Sequence, residues 1–130
     1  MALYTDGGDT YSTLRFEELM TLLKASDVTI YPIAALEQQP LAEQVTQRLL
    51  LERIAEATGG AAFFPGGVKD LSRIYEQVRG EIQAQYTIGY VSSNEKSDGV
   101  WRNIEVRITR PDCKSVRVRA RKGYYAPAKP

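Results

Sequence analysis

The residues of this sequence best placed for chemistry are two carboxylates in an early glycine turn. Asp6 and Asp9 flank two glycines directly after the short apolar segment Ala2–Thr5. The carboxyl end of such a strand is where open parallel sheets bind ligands. Two carboxylates there suit a divalent cation that polarises an ester or phosphoryl oxygen and activates water. The alternative is that both acids form the turn and place negative charge at a helix start.

Other catalytic groups are scarce in this chain. It has no histidine, and its single cysteine, Cys113, lies in a Pro-Asp-Cys-Lys turn where it reads as an incidental thiol. No nucleophile–base pair, phosphate-binding loop or cysteine–histidine metal cluster is present. The sequence therefore favours a non-catalytic function, and a weak metal-assisted hydrolase using Asp6 and Asp9 stays open as an alternative.

Charge is divided unevenly along the chain. Residues 1–100 hold 8 Lys/Arg and 14 Asp/Glu, a net −6, whereas residues 101–130 hold 9 Lys/Arg and 2 Asp/Glu, a net +7. Arg117, Arg119 and Arg121 alternate with apolar residues, which predicts one basic face of a strand. This face is either solvated, or packed on the chain's own acidic helices, or a binding site for an anionic polymer. Nucleic acid is a poor candidate because no aromatic side chain interleaves to stack bases.

The first 84 residues alternate between strand and helix patterns. Apolar runs predict strands at Ala2–Thr5, Val28–Ala34 and Ala61–Phe64, and helical spacing predicts helices around Phe16–Leu23, at Leu41–Ala57 and from Val68 to Ile82. Gly59-Gly60 is expected to end the second helix. Pro32 cannot donate to a ladder and is expected near a strand end or at a bulge. Three strand–helix units in a row predict an α/β fold with a parallel sheet.

From Gln85 onward the period changes to two. Alternation predicts strands at Tyr86–Val91, Trp101–Thr109 and Ser115–Ala120, followed by an extended segment at Tyr124-Tyr125. Consecutive short strands with tight turns predict an antiparallel β-meander over residues 85–130. The 130 residues are expected to form a single domain.

Several passages in order resemble the C-terminal half of a von Willebrand factor type A domain of the bacterial VWFA-related kind. They are Leu3-Tyr4-Thr5-Asp6-Gly7, Val28 to Ile33, Ile54 to Pro65 with its Thr-Gly-Gly, Asp70 to Ile82, Gln85 to Tyr90, Trp101 to Val106, and Arg121 to Tyr125. The resemblance implies half of a Rossmann-like sheet that lacks the first three strands, followed by the meander.

The resemblance also implies a metal-ion-dependent adhesion site, in which a bound cation accepts a carboxylate from a partner. Of its ligands only the Asp after the fourth strand is matched, at Asp6, and the Asp-x-Ser-x-Ser turn has no counterpart. We therefore expect a defective remnant with no required cofactor, where Mg²⁺ or another divalent cation binds weakly if at all. The function implied is a truncated, adhesion-type protein–protein interaction module with an unidentified protein partner.

In the sheet order that the family implies, 3-2-1-4-5-6, the segment Ala2–Thr5 becomes an edge strand. Such an edge is a template for pairing with another chain, so we predict a homodimer through Leu3 and Tyr4, with Phe16, Leu19 and Leu23 completing the interface. The alternative is a monomer whose C-terminal meander folds back over the edge.

The compartment stays open from the sequence. No apolar run approaches the roughly 20 residues that span a bilayer. The first residues lack the basic start and long apolar stretch of a signal peptide, so we expect no export signal in this chain. The resemblance implies export for full-length relatives.

Overall fold

The protein is described by a computed structural model over residues 1–6, 14–110, 112, 116 and 118–128. Within these ranges it is a mixed α/β structure with one small parallel sheet, one small antiparallel sheet and three helices. The elements in chain order are β1 (Ala2–Thr5), α1 (Phe16–Ala25), β2 (Tyr31–Ala34), α2 (Leu41–Thr58), α3 (Val68–Gln83), β3 (Trp101–Asn103) and β4 (Gly123–Tyr125). The predicted α/β class is confirmed at this level.

The parallel sheet is organised around β2, which is buried along its whole length. β1 pairs with β2 in parallel, from Ala2 opposite Tyr31 to Thr5 opposite Ala34. Because side chains alternate along a strand, β2 supplies two separate cores. One face joins α1 and α2 in a cluster that contains Ala34, and the other face joins α3 in a cluster that contains Tyr31. The helices therefore cover both faces of this strand.

The third predicted strand, Ala61–Phe64, is reduced to a single bridge between Ile33 and Phe63, so that prediction is corrected. The N–H of Phe63 donates to Pro32 and its carbonyl accepts from Ala34, at 2.8 and 2.9 Å. Pro32 faces this segment and has no N–H to add the next hydrogen bond. The ladder ends there for that reason, and the segment still runs parallel beside β2.

The end of α2 fixes the start of β2. The helix ends at Gly59, as predicted, with a left-handed φ of 81°. The buried hydroxyl of Thr58 accepts from the N–H of Ile30 at 3.1 Å and lies 3.1 Å from two helix carbonyls to which it can donate. Gly60 then approaches the carbonyl of Ile30 so closely that a Cβ would lie 2.0 Å from its oxygen. This contact sets the separation of α2 and the sheet.

The C-terminal part differs most from its prediction. Among the described residues of the three predicted meander strands, only Trp101–Asn103 lies in a ladder, and its partner is β4 in antiparallel register. The predicted strand Tyr86–Val91 and the described residues 116 and 118–120 of the predicted strand Ser115–Ala120 lie outside that ladder. Gly123 allows this pairing, because a Cβ there would lie 2.5 Å from the Trp101 ring. The meander prediction is therefore corrected to a two-stranded sheet.

Within the described ranges, no helix is long and apolar enough to cross a membrane.

Candidate functional site

The outer edge of β1 is the candidate interaction surface that the sequence predicted. In the described part of the chain, β1 pairs with β2 on one side and with no strand on the other. The carbonyls of Met1 and Thr5 accept hydrogen bonds from the β2 side at 2.8 and 3.2 Å. Because successive residues of a strand present their backbone groups to opposite sides, the N–H and C=O groups of Ala2 and Tyr4 point away from β2. The edge thus offers two donors and two acceptors.

Two side chains at this edge are exposed apolar residues. Leu3 is 38% exposed and Tyr4 is 62% exposed. Tyr4 lies on the face covered by α3, where it borders an open groove of about 370 Å³. The α3 side of the groove includes Leu71 and Tyr75, and Tyr75 is also more than half exposed. Edge strands that avoid association usually carry charge, proline or a bulge, and the described strand Ala2–Thr5 has none of these.

The other predicted interface residues lie elsewhere. Phe16, Leu19 and Leu23 are half-buried and pack against the core cluster that contains Met20. The guanidinium of Arg53 covers the Phe16 ring, with Cζ 4.7 Å from the ring centroid. Their apolar surface is used mainly inside the chain, because α1 packs on α2 with the same face that the sequence assigned to a partner.

Asp6 follows β1 at the carboxyl end of the parallel sheet. The carbonyl of Asp6 accepts a short hydrogen bond from the Gln39 side chain. Asp70 accepts from the N–H of Gly66 at 2.9 Å, and a Cβ on Gly66 would lie 3.2 Å from a carboxylate oxygen of Glu37. Among the described residues, no group of three or more Asp, Glu or Cys side chains is placed to hold a metal ion. Asp9 lies outside the described residues.

Two of the three predicted anion-binding arginines contact acidic groups of this chain. Arg119 pairs with Glu81 on α3. Arg121 pairs with Asp27 at 2.5 Å, and it also donates to the carbonyls of Lys24 and Ser26 at 2.8 and 3.2 Å. Both arginine side chains are more than half buried. They hold the C-terminal segment against α1 and α3, which explains why residues 118–120 do not lie beside β3. Arg117 lies outside the described residues.

Tyr31 and Asp98 are among the groups whose pKa values are shifted. Burial raises the pKa of the Tyr31 phenol, the nearby Glu81 carboxylate raises it further, and Arg119 partly offsets the effect. A hydrogen bond from Arg102, whose side chain is 18% exposed, lowers the pKa of Asp98. Tyr31 lies on β2 opposite Ala2 with its side chain in the core beside α3, and Asp98 pairs with Arg102 of β3, so neither marks a catalytic centre at the outer edge of β1.

Aromatic pairing in the C-terminal unit was not predicted from the sequence. The rings of Trp101 and Tyr125 meet edge to face with centroids 5.0 Å apart, and those of Tyr90 and Tyr124 do so at 6.4 Å. The signal was the Tyr124-Tyr125 pair directly after Gly123, but sequence alone does not give the register that brings it beside Trp101.

Comparison of the chain with protein-family models, with curated proteins and with solved structures finds no match.

Proposed function

We propose that this chain is a non-catalytic protein–protein interaction module of the adhesion type, which associates through the outer edge of β1 and forms a homodimer. The observation that carries the proposal is this edge, where the outward backbone groups of Ala2 and Tyr4 lie beside exposed apolar side chains. An open, uncharged edge of this kind favours pairing with another strand.

The arrangement of the parallel segments supports the relation to the C-terminal half of a von Willebrand type A domain. β1 lies beside β2, and residues 61–64 lie on the other side of β2. This is the neighbour order 4-5-6 that the resemblance implies. Asp6 follows β1 at the position of the one adhesion-site ligand that the sequence matches. The proposal includes a defective metal site, since one matched ligand leaves most of an octahedral shell to water.

The arginine contacts support the interaction module over an anionic-polymer binder. Arg119 and Arg121 each have a carboxylate partner in the chain itself. A polymer phosphate or sulfate would have to displace these partners, and the displaced Glu81 and Asp27 would then repel it.

Sedimentation velocity over a range of micromolar concentrations tests the dimer. The test variant is Tyr4→Pro, which removes an N–H that points away from β2 and so leaves the β1–β2 ladder intact. The matched control is Tyr86→Pro, because Tyr86 is 88% exposed and lies outside every described helix and strand.

We expect a dimer for the wild type and for Tyr86→Pro, and a monomer for Tyr4→Pro. Circular dichroism should show the same helix content for all three proteins. A wild-type mass of one chain, unchanged by Tyr4→Pro, would refute the proposal.

A further inference from the structure

We infer that the two copies pair as antiparallel β1 strands in one defined register, with Ala2 of each copy opposite Tyr4 of the other and the two-fold axis at Leu3. This inference rests on the proposed homodimer and specifies how its two edges meet.

The backbone groups of β1 that point away from β2 limit the registers in which two copies can pair. Only Ala2 and Tyr4 within β1 point their N–H and C=O away from β2. In an antiparallel pair, two directly opposed residues exchange both hydrogen bonds when their groups point at each other. Two registers with a two-fold axis pair both outward residues: Ala2 opposite Tyr4, or Tyr4 opposite its own copy with Ala2 opposite Asp6. A third register, with Ala2 opposite its own copy, leaves Tyr4 with no partner inside β1 and makes fewer hydrogen bonds.

The two registers that pair both outward residues differ in whether they need backbone groups of Asp6. The carbonyl of Asp6 already accepts a hydrogen bond from the Gln39 side chain, and β1 ends at Thr5. The register with Tyr4 opposite itself would have to use that carbonyl to complete its outer bonds. The register with Ala2 opposite Tyr4 makes all four interchain hydrogen bonds from within the strand, so it is the more complete ladder.

The side chains on the face of β1 covered by α3 also favour the register with Ala2 opposite Tyr4. Ala2 and Tyr4 share this face, because their partners Tyr31 and Ile33 both pack against α3. The inferred register places each large ring opposite a methyl group, whereas the other register would place two exposed rings directly opposite each other. The groove between Tyr4 and Tyr75 gives the incoming chain further apolar surface. A second copy is thus complementary to this edge in both hydrogen bonds and shape.

The size of the contact sets the expected strength. Four strand residues provide much less than the roughly 800 Å² per partner of a standard interface, so the α3 groove has to contribute. The dimer is therefore expected to dissociate on dilution rather than to be permanent.

Disulfide trapping tests the register. The background is Cys113→Ser, since Cys113 is the only cysteine of the chain. At Leu3 the two strands would form a non-hydrogen-bonded pair with Cα atoms about 4.5 Å apart, which is within the range of a disulfide. Leu3→Cys is the test variant, Tyr4→Cys reports the other register, and Ser93→Cys, in an exposed loop, reports random collisions.

We expect mild oxidation to convert Leu3→Cys to a covalent dimer at least tenfold faster than Tyr4→Cys or Ser93→Cys. Faster trapping of Tyr4→Cys would overturn the register and leave the homodimer intact. Slow trapping of both edge variants, in proteins that sediment as dimers when reduced, would overturn the use of β1 altogether. A wild-type chain that sediments as a monomer would remove the proposed function itself.

A second measurement does not depend on introduced cysteines. Amide hydrogen exchange of the wild type should slow at Ala2 and Tyr4 as concentration rises, because their N–H groups become bonded only in the dimer. Exchange at Leu3, whose N–H faces β2, should change little. Concentration-independent exchange at Ala2 and Tyr4 in a protein that dimerises would contradict the inference.

Discussion

Replacing Arg121 by Met tests whether this side chain stabilises the fold by holding the basic C-terminal segment against the end of α1. The substitution keeps the aliphatic stem and removes the guanidinium. That group reaches back over more than ninety residues to the carbonyls of Lys24 and Ser26 at the end of α1, and to the carboxylate of Asp27. A positive charge at a helix C-terminus is favourable because the last carbonyls carry partial negative charge.

The size of the effect follows from these contacts. A hydrogen bond that involves a charged group contributes roughly 1.5–3 kcal/mol. The two carbonyl contacts of Arg121 are part-buried, and its side chain is 30% exposed, so water replaces some of what is lost. We therefore expect Arg121→Met to lower the free energy of unfolding by about 2 kcal/mol. Asp27 is 97% exposed, and its ion pair is expected to add nothing measurable.

Urea unfolding at one fixed protein concentration provides the assay, because dimerisation would otherwise shift the midpoint. With a typical slope for a small domain, the midpoint of Arg121→Met should fall by about 1 M. Asp27→Asn is the matched control and should leave the midpoint unchanged. The reasoning is refuted if Arg121→Met unfolds with the wild-type midpoint, or if Asp27→Asn costs as much as Arg121→Met.

Three further outcomes are expected. Gly60→Ala should destabilise the fold by several kcal/mol in the same urea assay, because its Cβ would lie 2.0 Å from the Ile30 carbonyl oxygen; Gly80→Ala, in open space on α3, should instead stabilise by about 1 kcal/mol. The raised pKa of Tyr31 means that its contribution to stability is complete below about pH 10 and is lost as pH rises through the folded pKa. Tyr31→Phe should therefore flatten the alkaline fall in unfolding free energy, and an unchanged pH profile would contradict this. Calorimetric titration with magnesium, manganese or calcium should show no tight site, and a micromolar site lost in Asp6→Ala would support the hydrolase alternative instead.

The sequence predicted the strand–helix half well because its signals are local. The continuous apolar run around β2 indicated a strand covered on both faces, and the glycines after α2 indicated where that helix stops. The prediction failed at residues 61–64, although its cause was visible. Pro32 lacks the N–H that a longer ladder needs, but the side of β2 that this proline faces depends on the register with β1.

The C-terminal half was harder to predict because its pairing is decided at long range. Alternation predicted a strand at Trp101–Thr109, of which only Trp101–Asn103 forms one, and it also predicted residues 86–91, where the structure has no ladder. Arg119 and Arg121 contact acidic groups far away in sequence, so the segment they belong to packs on the helices. The predicted interface residues differ in the same way. Leu3 and Tyr4 are exposed at a sheet edge, whereas Phe16 packs against the core.

The reach of Arg121 also bears on the order in which the chain folds. Its contacts with Lys24 and Asp27 close loops of 97 and 94 residues, most of the length of the protein. The entropic cost of closing a loop grows with its length and has to be met before the contact can form. The local pairing of α1, β2 and α2 is available much earlier. The contacts of Arg121 should therefore form after the folding transition state, so their loss should accelerate unfolding while the refolding rate stays nearly unchanged.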